Sequence, residues 1–277
     1  MNEVVGGRDQ NSSPFFIKVA YGFSLMGDWI NDPVVVPLGG VGVNGATPLV
    51  HLCDRTDVWR LGFLAGEWEV MESWLRAIKA SPQGSLVADI GAAGGAYSLL
   101  AAAARPDISV VAFEPDPESF ERLITNIKLN RMERQVTALQ IALGAANNDS
   151  VPLYTDGANG TAPSLRDGKF KGSVSVRMRS LEYLVQEGII SLPWAVKVDV
   201  EGGEAGPDGV FAGMQRLMER GSGPAHIFLE THQPAMVAQF GGTTEELLTM
   251  LERWGYRQTF RYERTRGIPI IHFTRRP

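Results

Sequence analysis

Apolar residues along this chain keep two periods, and the switches between them mark its elements. From Glu67 onward, Trp68, Met71, Leu75 and Ile78 recur at helical spacing, which predicts an amphipathic helix ended by Pro82 and Gly84. "SLVADI" (85–90) is apolar without alternation, the pattern of a strand covered on both faces. Residues 96–104 are strong helix formers, small enough to pack close to a sheet. "ISVVAFE" (108–114) reads as a second strand. Residues 117–130 read as a helix with Asp116 at its N-cap and Pro117 in its first turn, and "QVTALQIAL" (135–143) as a third strand.

The stretch 144–194 is less regular. It holds "VPLYTD" (151–156), a glycine-rich loop, the alternating strand "SVSVRM" (173–178) and a short helix at "LEYLVQ" (181–186). "WAVKVDV" (194–200) and "AHIFLE" (225–230) are buried strands again. Thr243 and Glu246 form a capping box for a helix ending near Gly255. The tail, "RQTFRYERTRGIPIIHFTR", divides into two strands around a short turn containing Gly267, and strands joined in that way must be antiparallel. Strands alternating with helices make a mainly parallel sheet with helices on both faces. The expected fold is α/β: a seven-stranded, mainly parallel, doubly wound, Rossmann-like sheet with an antiparallel C-terminal hairpin. Residues 1–66 are rich in Gly, Pro and Asn, with short apolar runs such as "VVVPL" (34–38). They are expected to form an irregular extension or lid, part of the same domain as 67–277.

Composition narrows the class. The chain has 277 residues, 44% of them hydrophobic and 21% charged, which suits a soluble globular α/β domain. A net charge of −5 lacks the overall basic signature of a nucleic-acid binder. One cysteine, Cys53, allows no internal disulfide and fits a reducing compartment. "MNEVVGGRDQ" has no apolar core and is not a signal peptide, and no apolar run is long enough to span a membrane. The expectation is a cytoplasmic protein without nucleic-acid or membrane partners.

The chemistry starts at "ADIGAAGGAYS" (88–98), where a strand runs through an acid into a Gly/Ala turn and then a helix. A dinucleotide fingerprint needs G-x-G-x-x-G, so that backbone can approach a pyrophosphate. Counted from Gly91, the second and third glycines are missing, and Asp89 would repel a pyrophosphate. An amino-acid moiety suits the site better. The turn from Gly91 through Ala93 to Gly95, at a helix N-terminus, can receive its carboxylate, and Asp89 can receive its ammonium group or a water bound to it. The second strand ends in Glu114, which can accept hydrogen bonds from ribose hydroxyls. Both cofactors carry a ribose, so Glu114 supports an adenosine ligand without choosing between them; Asp89 with the failed fingerprint points to S-adenosylmethionine, which has the amino-acid moiety. The alternative is that Asp89 only caps the following helix and the glycines only make a turn. The reversed hairpin at the end of the chain is the plan of the seven-stranded methyltransferases.

"KVDVEGGE" (197–204), taken with "ADIGAAGG", "VVAFEPDPESFERLITNI", "ALG" and "IFLETH", resembles the FkbM-type family of S-adenosylmethionine-dependent methyltransferases over about residues 66–260. The resemblance implies S-adenosyl-L-methionine as cofactor, S-adenosyl-L-homocysteine as product, and O-methylation of a small natural product or sugar. It also implies cofactor contacts at Asp89, Gly91, Ala93, Gly95, Glu114, Pro115, Asp116, Ala142 and Asp199. Three departures stand out. Ala93 takes the place of the family's turn asparagine, "AGPDG" (205–209) is inserted after Glu204, and Leu181-Glu182 replaces a Leu-Asp pair.

Methyl transfer is an in-line displacement, and a hydroxyl acceptor must also lose a proton. Asp199 and Glu201 fall at the C-terminal end of the fourth parallel strand, where ligands of open α/β sheets bind. Alternation along an extended chain would put both on one side. Asp199 is read as lying near the sulfonium or the acceptor, and Glu201 as a second polar contact or base. Alternatively, both acids cap the next turn or pair with Lys197. Glu204 is read as structural. His232 titrates near neutral pH and is the candidate base by chemistry, against the plainer reading of a surface or packing residue. His226 is read as structural. "HLCD" (51–54) lacks a metal-ligand spacing, and no metal is expected, although Asp199, Glu201, Glu230 and His232 are ligand types. Trp68 and Trp74 are read as packing, Trp29 and Trp59 as either packing or pocket, and Ser164 as facing the site. Two other functions remain open. One is methylation of an amine or a macromolecule. The other is a non-catalytic S-adenosylmethionine-binding regulator or scaffold.

Overall fold

The computed structural model describes residues 34–38, 47–52, 66–155, 163–166, 170, 172–264 and 268–276. Its strands in chain order are β1 (Val34–Pro37), β2 (Leu49–Leu52), β3 (Leu86–Ile90), β4 (Ser109–Phe113), β5 (Val136–Leu139), β6 (Ile141–Leu143), β7 (Asn148–Thr155), β8 (Gly172–Arg179), β9 (Pro193–Val198), β10 (His226–Glu230), β11 (Tyr256–Glu263) and β12 (Pro269–Arg275). The helices are α1 (Trp68–Lys79), α2 (Ala96–Ala104), α3 (Pro117–Leu129), α4 (Leu181–Gln186), α5 (Gln215–Glu219), α6 (Pro234–Ala238) and α7 (Thr244–Arg253). Seven strands form the main sheet in the order β11-β12-β10-β9-β3-β4-β5. β5, β4, β3, β9 and β10 are parallel, while β12 runs antiparallel to both β10 and β11. The strand order reverses direction between β3 and β9, which opens a crevice at their C-terminal ends.

Period-two burial explains why the central strands are apolar throughout. Val87 and Val110 face one core with Trp74, Leu99, Leu123 and Phe228. Their neighbours Ala88 and Val111 face a second core with Phe113, Phe211 and Tyr256. α1 buries Val70, Met71, Trp74, Leu75, Ala77 and Ile78 on the first face. Trp74 is fully buried and donates its indole N–H to Tyr97 O at 3.2 Å, so it is a packing residue. Asp116 caps α3 by accepting from Ser119 N at 2.9 Å, a bond worth about 1 kcal/mol. The Thr243–Glu246 capping box starts α7.

Two sequence expectations need correction. The run 135–143 is not one strand: β5 ends at Leu139, opposite Phe113, and β6 pairs instead with β8 in a separate three-stranded sheet, β6-β8-β7. An apolar run does not reveal which partner strand it will meet, and the chain changes sheets at Gln140. The "WAVKVDV" strand stops at Val198, so Asp199 and Val200 lie beyond it.

In the N-terminal region, β1 and β2 form an antiparallel ribbon. Asn130 holds this ribbon to α3, accepting from Leu49 N and donating to Leu49 O, each at 2.7 Å. Asn126 adds a bond from His51 N at 2.8 Å. Cys53, Asp54, Trp29, Trp59 and the hairpin turn at Gly267 lie outside the described residues. Among the described residues, no helix is long and apolar enough to cross a membrane.

Candidate active site

The turn after β3 is built from backbone conformations that ordinary residues avoid. Gly91, Ala93 and Gly95 have φ of +79°, +47° and +84°. Phe113 O accepts from Gly91 N and Ala92 N at 2.9 and 3.0 Å, which fastens the turn to β4. Glu114, at the end of β4, accepts from Ala93 N at 2.7 Å and from Asp116 N at 2.9 Å. Asn126 donates to Gly94 O at 2.8 Å. Asp89 accepts from Ser98 N at 3.1 Å and Ser98 Oγ at 2.7 Å, so it does tie the first turn of α2 to β3. Burial raises its carboxyl pKa, against the lowering effect of Lys197. Ala93 carries a Cβ in the left-handed region, which costs about 1–2 kcal/mol. Ala93→Gly is therefore expected to raise stability by about 0.5–1 kcal/mol after its greater unfolded-chain freedom is deducted, seen as a higher urea midpoint.

The turn meets the acid motif directly. A Cβ built on Gly91 would lie 1.8 Å from the backbone O of Asp199, so only glycine permits the approach. Asp199 is held at Oδ2 by Lys197 Nζ at 2.9 Å. Lys197 also lies 4.6 Å from the Tyr97 ring centre and 3.8 Å from Glu230. Burial alone would lower the Lys197 pKa, but the carboxylates of Asp199, Glu230 and Asp89 push it up to about 12. Asp199 is shifted the other way: Lys197 and His232 outweigh its burial and hold its carboxyl well below the usual range.

His232 is the hub of the group. Its Nε2 lies 3.5 Å from Asp199 Oδ1, 3.5 Å from Glu201 Oε2 and 4.0 Å from Glu230 Oε1, and its Nδ1 lies 3.3 Å from Glu204 Oε1. Alternation is not what brings Asp199 and Glu201 together. Glu201 has φ +54° in the turn after β9, and that turn carries its carboxylate back to the ring. The same neighbours act on the titration of His232. Burial lowers its pKa, but Asp199 and Glu204 overcome that and raise it well above the ordinary value. Carboxylate oxygens within 3.5 Å of both ring nitrogens favour the imidazolium form of His232.

Glu67 and Arg264 complete the cluster, and no sequence signal singled them out. Arg264 donates to Glu230 Oε1 at 2.6 Å and also pairs with Glu67, which accepts from Tyr97 OH at 3.2 Å. Burial, then the Asp199 charge, pushes the Glu230 carboxyl up, while Lys197 acts against this. Asp199, Glu230 and His232 bring one ligand-type atom each within 4.8 Å of one another. Lys197 and Arg264 place positive charge beside Asp199 and Glu230.

The other sequence candidates belong to other elements. Pro115 is half-buried and Asp116 buried at the start of α3. Ala142 sits in β6, buried with Leu153, Val176 and Met178. Ser164 pairs through its backbone with Tyr154. Beside it, Arg166 bonds Asp208 at 2.6 Å and Gln239 O at 3.1 Å, so it ties the 205–209 insertion to the β7–β8 connection. His226 lies away from the cluster, bonded to His272 at 3.0 Å.

A family model described as "Methyltransferase FkbM domain" matches residues 89–258, more than half of the chain. The hexuronic acid methyltransferase AglP of Haloferax volcanii is 28% identical over 176 residues, covering 63% of this chain and 66% of that protein. The chain thus spans just under two thirds of the length of this curated relative. Among solved structures, a precorrin-6y C5,15-methyltransferase from Geobacter metallireducens superposes with a TM-score of 0.44 at 15% identity, covering 74% of this chain and 87% of its own. TrmK of M. capricolum, in complex with S-adenosyl-homocysteine, superposes with a TM-score of 0.44 at 10% identity, covering 73% and 67%.

Proposed function

Because the chain belongs to the FkbM methyltransferase family and uses that family's cofactor, S-adenosylmethionine, we propose that it methylates a hydroxyl oxygen of a small natural product or sugar. The observation that carries this reading is the contact between the cofactor turn and the acid motif, where only a glycine fits between residue 91 and the Asp199 backbone. It brings a cofactor cradle and a set of carboxylates to one crevice. The hexuronic acid named for the relative supports the sugar part of the proposal.

The donor set fits the cofactor. Glu114 already accepts two amide bonds, and a carboxylate has lone pairs for ribose hydroxyls besides. The N-terminus of α2 favours a carboxylate, and the buried Asp89 and the partly exposed Asp199 favour cationic groups. When bound, the cofactor supplies an electrophilic methyl group on a sulfonium. The chain's own residues then align the acceptor, exclude water and take its proton. Asp199, held ionised by Lys197, orients the acceptor or faces the positive charge. Glu201, with about one third of its side chain exposed, is the base: as the acceptor oxygen gains the methyl, the hydroxyl proton passes to the Glu201 carboxylate. His232, as a cation, holds Asp199 and Glu201 in place.

Calorimetric titration with S-adenosylmethionine, S-adenosylhomocysteine and NAD, followed by labelled methyl transfer to neutral sugars, uronic acids, amines and RNA, tests the proposal. Glu114→Ala should weaken both adenosyl ligands by about 1.5–3 kcal/mol. Glu201→Gln should leave their binding unchanged and slow turnover by about 10²–10⁴-fold. Transfer to amines or RNA alone would replace the hydroxyl reading, and cofactor binding without any turnover would favour a regulator or scaffold.

A further inference from the structure

We propose that Glu204 is a positioning residue of the methyl-transfer site, holding the His232 ring by Nδ1 so that its Nε2–H is turned toward Asp199 and Glu201. The inference rests on the reading of Asp199 and Glu201 as the reactive acids. It assigns a working role to a residue whose sequence reading was purely structural.

Glu204 has no solvent exposure, and its Oε2 has no hydrogen-bond partner in the structure. A carboxylate in that position is costly unless a cation compensates it. Among the described residues, the ion pair it makes is with His232, at 3.3 Å. The surrounding loop leaves it no way out. Val210 N bonds Gly203 O at 2.9 Å, Phe211 N bonds Glu204 O at 3.3 Å, and Gly203 packs against the Phe240 ring, which a Cβ at that position would meet at 3.3 Å.

The opposite edge of the ring explains why the charge matters. Nε2 faces Asp199, Glu201 and, at 4.0 Å, Glu230, with Lys197 behind Asp199. If the ring were neutral with its one proton on Nδ1, Nε2 would present a lone pair to these anions. Repulsion would then push Glu201 away from the acceptor. The Glu204 charge beside Nδ1 acts against that state by favouring the doubly protonated ring, and it fixes the ring's orientation. No bond to the acceptor is made through Glu204, and it gains and loses no proton in the reaction.

The test is Glu204→Gln in the full chain, which keeps the shape and removes the charge. With labelled histidine, only four side chains give NMR signals (His51, His226, His232 and His272), and His232→Gln assigns the one of interest. In the unaltered protein the His232 signals should be those of an imidazolium through neutral pH. In Glu204→Gln the apparent pKa should fall by about one pH unit or more. Turnover per folded protein should fall about tenfold to a hundredfold, with S-adenosylhomocysteine affinity unchanged. An unmoved His232 titration, or a turnover loss that only follows lost folded protein, overturns the proposal. If the glutamine variant does not fold, Glu204→Asp carries the same test, because its shortened carboxylate withdraws from Nδ1 and must move the same signal. Absence of methyl transfer to any hydroxyl would defeat the functional reading alone, since the His232 signal reports on Glu204 without turnover.

Discussion

Gly91→Ala is expected to abolish cofactor binding and to lower stability by about 3–5 kcal/mol. Two separate costs add. The residue has φ +79°, where a side chain is strained by about 1–2 kcal/mol. Its new Cβ would also overlap the Asp199 backbone oxygen at 1.8 Å, and backbone cannot move aside as a side-chain tip can. Relief requires β3 and β9 to separate at the end where the turn and the acids meet, so the fold and the site fail together. Gly94→Ala is the control. No left-handed conformation is needed there, and the new Cβ would meet only Asn126 Nδ2 at 3.5 Å, an ordinary contact. Urea unfolding and S-adenosylhomocysteine titration of both variants decide the matter. Equal behaviour of the two would show that the close approach at Gly91 is not what holds turn and acids together.

Acid should destabilise the protein through His272 well above the pH at which most carboxylates protonate. His272 is buried between Ser73 and His226, bonded at 3.1 and 3.0 Å, and stacks on Phe228 at 3.9 Å. Burial first, then the charges of His226 and Arg76, holds its pKa down to about 3, against 6.5 as the ordinary value. Above pH 6.5 both folded and unfolded chains carry this imidazole neutral, and stability is fully present. Below pH 6.5 the unfolded chain takes up a proton that the folded one refuses, and each further pH unit costs about 1.4 kcal/mol until the folded group titrates near pH 3. Between pH 6.5 and 5 the loss is about 2 kcal/mol. His232 has the opposite sign: its raised pKa contributes stability that is complete below 6.5 and is lost as pH rises through the folded value. Glu230, also raised, contributes stability that is likewise lost with rising pH. Comparison with His272→Gln removes both contributions. The stability gap between the two proteins should shrink by about 2 kcal/mol from pH 8 to pH 5 in urea titrations. A gap independent of pH would mean that His272 is not forced neutral by the fold.

The elements of the domain were legible because their signals are local. Trp68, Met71, Leu75 and Ile78 keep the helical period that buries one face of α1. Asp116 and Pro117 mark the start of α3, and the Thr243–Glu246 box starts α7. The doubly wound sheet with its reversed end strand followed from the alternation of such segments, and the cofactor class from Asp89, Glu114 and the failed dinucleotide glycines. Partner choice was not legible. Nothing local says that β5 joins the main sheet while β6, one residue further on, joins another, since both are short apolar runs.

The site divides in the same way. By itself the sequence determined the residue types at the ends of the strands, because a strand's end is marked where its apolar run stops. Only the tertiary structure decided what those residues do, because charge state depends on neighbours distant in the chain. His232 is a candidate base from its ordinary pKa, while Glu204 and Asp199 from another segment raise that pKa and favour the imidazolium. Glu201 reaches it through a left-handed turn that no alternation rule contains. Arg264 and Glu67 are separated by almost the whole domain, and they enter the cluster because folding brings both ends of the domain to one side of β10. Local pattern sets secondary structure, while pairing, burial and electrostatics are set by contacts that exist only after the chain has folded.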